Sequence, residues 1–194
     1  GKCKVRTGRS QFTLPTIAPK DFPRFQAEED DKAVAFTISA SAMAKAINSA
    51  SLGLSKPDPA KTFTGGVLLK ATPDGVFLVA TNSFWFVLVS IGGGTGEGGA
   101  TIQGIIPEMG VAQIERLAKT QGGEGATLQF KMGPRQIAVS AGDASVRSRL
   151  IAGGYPDFEK VIRADAPVSL SVSQTALLAV LTRVGLFVTD KAPF

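Results

Sequence analysis

The sequence predicts an α+β fold of antiparallel sheets with two amphipathic helices. Three observations carry that expectation. An order of one strand, one helix and several short strands occurs twice within about 120 residues. Each helical segment carries one apolar stripe at helical spacing: Met43, Ile47, Ala50 and Leu54 in the first, Val111, Ile114, Leu117 and Ala118 in the second. The remaining apolar runs are short and end at Gly, Pro or Asp, as hairpin strands do.

Taken in order, KVRTGRSQFTL (4–14) alternates loosely and reads as one or two strands. PTIAPKDFPRF (15–25) holds three prolines in eleven residues and reads as extended connection. QAEEDDK (26–32) reads as a solvated linker or boundary, and a compact pattern begins near Val34. AVAFTIS (33–39) is a strand, and SASAMAKAINSASLGLS (39–55) a helix that Ser39 or Ser41 can cap and Gly53 can end. GVLLKATPDGVFLVATN (66–82) is a hairpin turning at Pro73-Asp74-Gly75, with Phe77 expected inside its core. FWFVLVSI (84–91) continues as a third strand, and GGGTGEGG (92–99) is flexible connection. This glycine run lacks the Gly-Lys-Ser/Thr ending of a phosphate loop, so no nucleotide site is expected there. TIQGII (101–106) is a strand. PEMGVAQIERLAKTQ (107–121) is a helix with Pro107 in its first turn, followed by strands in 126–132, 136–142 and 144–151.

Composition narrows the function. The 194 residues are 44% hydrophobic and 19% charged, with a net charge of +5. That balance is globular and admits a polyanionic partner. There is no His, which excludes Ser-His and Cys-His nucleophilic catalysis and most zinc or iron sites. No metal or cofactor is expected. The single Cys cannot form an internal disulfide, so a cytoplasmic protein is expected. No apolar run reaches the roughly 18 residues of a membrane span, and the basic start, 1–9, has no apolar region after it. Asp143, Asp157 and Glu159 sit at strand ends and turns without pairing or His. Enzymatic acid–base chemistry is therefore not expected, and Asp157 reads as a turn acid.

SRLIAGGYPDFEKVI (148–162) then gives the chain a family. It resembles the Ser-Arg-Leu-Ile-x-Gly-x-Phe/Tyr-Pro-Asp-Tyr/Phe-x-x-Val-Ile signature of the bacterial sliding clamp, the beta subunit of DNA polymerase III. Other pieces agree in order. GRSQFTLPTIAPKDFP (8–23) resembles the close of clamp domain one. GGVLLKATPDGVFLVATN (65–82) and IIPEMGVAQIERL (105–117) are similar to the hairpin and second helix of domain two. VSLSVSQTALLAVLTRV (168–184) resembles the opening strand and helix of domain three. The resemblance implies a DNA-clamp fold, with 1–30 closing domain one, 31–166 forming domain two and 167–194 starting domain three. It also implies less than a whole subunit.

For function, the resemblance implies a ring-shaped homodimer at full length. Such a ring encircles duplex DNA through non-specific phosphate contacts. Lys45, Arg116 and Lys119 would face the DNA, on helix faces that carry little acid. It also implies a pocket where DNA polymerase III, the clamp loader and repair proteins insert short peptide motifs. Carried over by position, that pocket takes Thr64, Thr81, Ser83, Phe84, Trp85 and Phe86, with Pro156, Lys160 and Val161 on the other wall. The family's Asp-Gly-His-Arg is Asn82-Ser83-Phe84-Trp85 here. Three readings of the aromatics stay open: a wider apolar pocket, a plug that blocks it, or a surface that packs on another protein. A divergent interaction module that does not encircle DNA is the alternative for the whole chain.

Overall fold

The structure is a computed structural model and describes residues 1–21, 33–56, 58–92, 99–123, 125–160, 168 and 170–187. The expected linker at 26–32, residues 93–98 of the glycine run and Val161 lie outside the described residues. The chain divides into two units, residues 1–155 and 156–194.

The first unit opens with an antiparallel hairpin, β1 (Lys2–Thr7) and β2 (Ser10–Pro15), turning at Gly8-Arg9. The two halves of the main body follow. One comprises β3 (Val34–Ser39), α1 (Ala40–Ala50), β4 (Gly66–Thr72), β5 (Gly75–Thr81) and β6 (Phe86–Ile91). The other comprises β7 (Ile102–Pro107), α2 (Glu108–Thr120), β8 (Thr127–Met132), β9 (Gln136–Ala141) and β10 (Ala144–Arg149). Among the described residues, every strand pairing is antiparallel. The halves exchange their first strands: β3 joins the second half in the order β10-β9-β8-β3, and β7 joins the first half in the order β6-β5-β4-β7.

That exchange makes one core rather than two. The inner faces of both sheets and the apolar stripes of both helices share a single cluster, and α1 and α2 pack against each other. Met43, Ile47 and Ala50 of α1 are buried, as are Val111, Ile114, Leu117 and Ala118 of α2. Phe36 and Phe130, opposite each other on β3 and β8, stack with centroids 5.0 Å apart. Ser39 stands at the N-terminus of α1, but its hydroxyl caps no backbone N–H and lies 3.1 Å from the Ser41 hydroxyl. Leu54 falls beyond the helix, after a 3-10 turn over Ser51–Gly53.

Phe77 departs from expectation. It is half-buried on the side of β5 that faces away from the helices, beside Lys70 and Ser90, and is no part of the shared core. The inward residues of β5 are Val76, Leu78 and Ala80. An apolar strand buried on both sides carries no alternation to show which face holds the helices.

The second unit contains a 3-10 turn, Phe158–Lys160, and helix α3 (Gln174–Gly185). The Ser173 hydroxyl accepts the Ala176 N–H at 3.5 Å, a weak N-cap. Of the strand expected ahead of α3, residue 169 is not among the described residues, and 170–173 show no strand pairing. Among the described residues, no helix is long and apolar enough to cross a membrane.

Candidate functional site

The loop joining β5 to β6 is closed by its own polar side chains. The Asn82 carboxamide oxygen accepts the backbone N–H of Phe84 at 3.0 Å and of Trp85 at 3.1 Å. The Thr81 hydroxyl accepts the Ser83 N–H at 3.1 Å and donates to the Trp85 carbonyl at 2.7 Å. These are the side-chain turns that Asn and Thr favour. They oblige Ser83 to take φ +77°, the left-handed region that glycine enters without penalty.

Rigid closure sets the aromatics outward. Phe84 is 92% exposed and Trp85 57% exposed, while Phe86, the first residue of β6, is half-buried opposite Thr81. Neither Phe84 nor Trp85 folds into the core. The Trp85 indole Nε1 donates to the Leu52 carbonyl over a long 3.4 Å, and Leu52 is itself exposed. Lys61 ties the loop to the 3-10 turn Thr62–Gly65: its ammonium donates to the Ser83 hydroxyl at 3.4 Å, and its carbonyl accepts the Thr64 hydroxyl at 2.9 Å. Thr64 is 2% exposed, so its side chain supports the turn from within. Leu52 and Lys61 carried no signal in the sequence, because they meet the loop only across 33 and 22 residues of chain.

Tyr155 covers the outer side of the same sheet. Its hydroxyl donates to the Val79 carbonyl at 3.2 Å, and its ring meets Phe63 edge-on at 5.8 Å. Beneath it, Val79, Leu68 and Ile105 lie side by side across three strands, all buried. Burial pushes the Tyr155 phenol up to about 12. A phenol raised in the fold contributes stability that is complete below its ordinary value near 10 and is lost as pH climbs from about 10 to about 12. Because the chain has a single Tyr, absorbance at the phenolate band reads this residue alone. The native protein is expected to titrate near pH 12 and the urea-unfolded chain near pH 10. A native midpoint near 10 would show that Tyr155 is not held in this way.

In the second unit, Pro156 and Lys160 are exposed. Lys160 pairs with Asp157 at 2.9 Å, and this hydrogen bond, with the lysine's charge, holds the Asp157 carboxyl below its usual range. Asp157 behaves as the turn acid read from the sequence.

On the helices, Lys45, Arg116 and Lys119 are all exposed. Lys119 forms an ion pair with Glu115 at 2.6 Å, one turn away. The expectation of little acid holds for α1 but not for α2, which carries Glu108 and Glu115 against Arg116 and Lys119. The two helices together sum to three cations and two carboxylates, a net +1.

Comparison with known proteins settles the family. The description of the DNA polymerase III beta subunit, central domain, matches residues 37–157. The chain belongs to the bacterial beta sliding clamp family. The beta sliding clamp of Pseudomonas aeruginosa is 29% identical over 161 residues, 83% of this chain and 42% of that protein. That of Escherichia coli is 25% identical over 187 residues, 96% of this chain and 49% of its own length. The chain thus spans about half the length of the clamps it matches. The crystal structure of the P. aeruginosa DNA polymerase III subunit beta superposes with a TM-score of 0.77 at 23% identity, over 98% of this chain and 50% of that one. The fold is therefore that of the sliding clamps, as the sequence signature implied.

Proposed function

We propose that this chain works as part of a sliding clamp, a non-catalytic cytoplasmic processivity factor. In that reading it encircles duplex DNA within a homodimeric ring and tethers DNA polymerase III and the clamp loader through short peptide motifs. Membership of the clamp family is the observation that carries the reading. Two features of the molecule support it. Lys45 and Arg116 stand exposed on helices packed side by side, where they can meet phosphates without reading bases. The Thr81–Phe86 loop holds the backbone of Phe84 and Trp85 by its own hydrogen bonds and leaves both rings exposed, so a binding partner has less backbone to order.

The test has two arms. Duplex DNA should bind weakly, with a dissociation constant on the order of 10⁻⁴–10⁻⁶ M that rises steeply with salt. Lys45→Glu, Arg116→Glu and Lys119→Glu together should abolish that binding. A short clamp-binding peptide should shift the emission of Trp85, the sole Trp, to the blue as water leaves the indole. Tight or sequence-specific DNA binding by this chain would overturn the clamp reading, and an unchanged emission would overturn the pocket. The near-neutral helix face favours a second reading, a clamp-like interaction module that does not encircle DNA. A peptide response without any DNA binding would select it.

A further inference from the structure

A cationic surface free of carboxylates lies outside the helices, on one of the two sheets of the main body. Strands β3, β8, β9 and β10 contain 24 residues, three cations and not one carboxylate. Their pleat sends Phe36, Leu128, Phe130, Met132, Ile137 and Val139 into the core. It sends Lys131, Arg147 and Arg149 outward, where all three are exposed. Among the described residues, the acid closest in sequence to these strands is Asp143, in the β9–β10 turn.

Register arranges these groups. Lys131 and Arg147 both lie opposite Ala138, one on each side, and Ala35 lies beyond Lys131. Two cations therefore flank the small side chain of Ala138, two strand spacings or roughly 10 Å apart. The next row is Thr37, Gln129, Ser140 and Ser145, all polar and uncharged. Together the two rows line an open trough of about 690 Å³. Arg149 continues the Arg147 edge, about 6.7 Å further on.

We propose that this outer face of the β10-β9-β8-β3 sheet docks an extended acidic polypeptide segment of a partner protein. Charge complementarity selects an anion. The spacings select its form: carboxylates two residues apart on an extended chain lie about 6.7 Å apart, as Arg147 and Arg149 do. The planar forks of Arg147 and Arg149 suit carboxylates, and the hydroxyls and the Gln129 amide can meet a peptide backbone. Nucleic acid fits less well. None of the outward residues of these strands is aromatic, so bases have nothing to stack on. The cations are also gathered at one end of the face, too few to follow a phosphate backbone.

The test uses a short labelled peptide of alternating Glu and Ser, followed by anisotropy at low salt. The wild-type chain should bind it, and added salt should release it. Lys131→Glu with Arg147→Glu should weaken binding more than about tenfold and confer binding to a matching Lys-Ser peptide. Ala138→Leu, which fills the trough from the solvent side and leaves every charge in place, should weaken it as well. Circular dichroism confirms that each variant is folded. Absence of wild-type binding at millimolar peptide would overturn the proposal, as would an Ala138→Leu variant that binds normally. Loss of DNA binding, with peptide binding intact, in Lys131→Glu/Arg147→Glu would overturn it too, by making the face a nucleic-acid track. None of these variants touches the Thr81–Phe86 loop, so the pocket reading stands or falls separately.

Discussion

Phe130→Ala is expected to lower the stability of the first unit by about 3–5 kcal/mol, the cost of emptying a large aromatic site that cannot collapse. Phe130 is 2% exposed, at the centre of β8, stacked on Phe36 with 7° between the rings. It also borders the small internal gap enclosed by Met43, Ile47, Leu69 and Ile114, where both helices and both sheets meet. Removing it deprives every layer of the core at once. A loss of this size is a large fraction of the roughly 5–15 kcal/mol that holds an ordinary domain together. Urea unfolding followed by circular dichroism measures it. Phe77→Ala is the control: half-buried on the far side of β5, it should cost clearly less. Equal costs for the two would mean that the core has been assigned to the wrong face of that sheet.

Gly53→Ala is expected to cost about 2–3 kcal/mol and to release Trp85. A methyl at position 53 would lie 2.6 Å from the Ala80 carbonyl oxygen and 2.8 Å from its carbon. Both atoms belong to the backbone of a central strand, so neither can swing aside. The Ser51–Gly53 turn must lift instead. Leu52 lies in that turn and accepts the Trp85 indole N–H, so lifting it breaks the long bond that lays the ring down. The indole should then meet more water, and its emission should move to the red in a protein that still folds. Gly53→Ala with unchanged stability would show that the turn stands further from β5 than 2.6 Å implies. Lowered stability with unchanged emission would show that Leu52 does not position Trp85.

The helices were legible because their burial is periodic. Val111, Ile114, Leu117 and Ala118 recur at helical spacing, and all four are buried. The family was legible for a different reason. Ser148, Arg149, Leu150 and Ile151, then Tyr155, Pro156 and Asp157, fall within one ten-residue stretch whose match needs no folding to be seen. The loop after Thr81 was half legible: Asn82-Ser83 announced a turn, but a turn does not say whether the aromatics after it point in or out.

Sequence by itself therefore determined the α+β class, the two amphipathic helices, the antiparallel hairpins and the clamp family. Those rest on patterns within a single element or a single run of residues. Only the tertiary structure decided the rest. It exchanged β3 and β7 between the halves, placed Phe77 on the outer face and exposed Phe84 and Trp85. It also joined Tyr155 to Val79 across 76 residues and gathered Lys131, Arg147 and Arg149 on one side of one sheet. Each of these depends on partners that a single strand or run does not contain: the register of paired strands, the closing bonds of a loop, or a side chain arriving from elsewhere in the chain. Alternation along a strand shows that it has two faces, but which neighbours share a face is set by register, and register exists only once the sheet has formed.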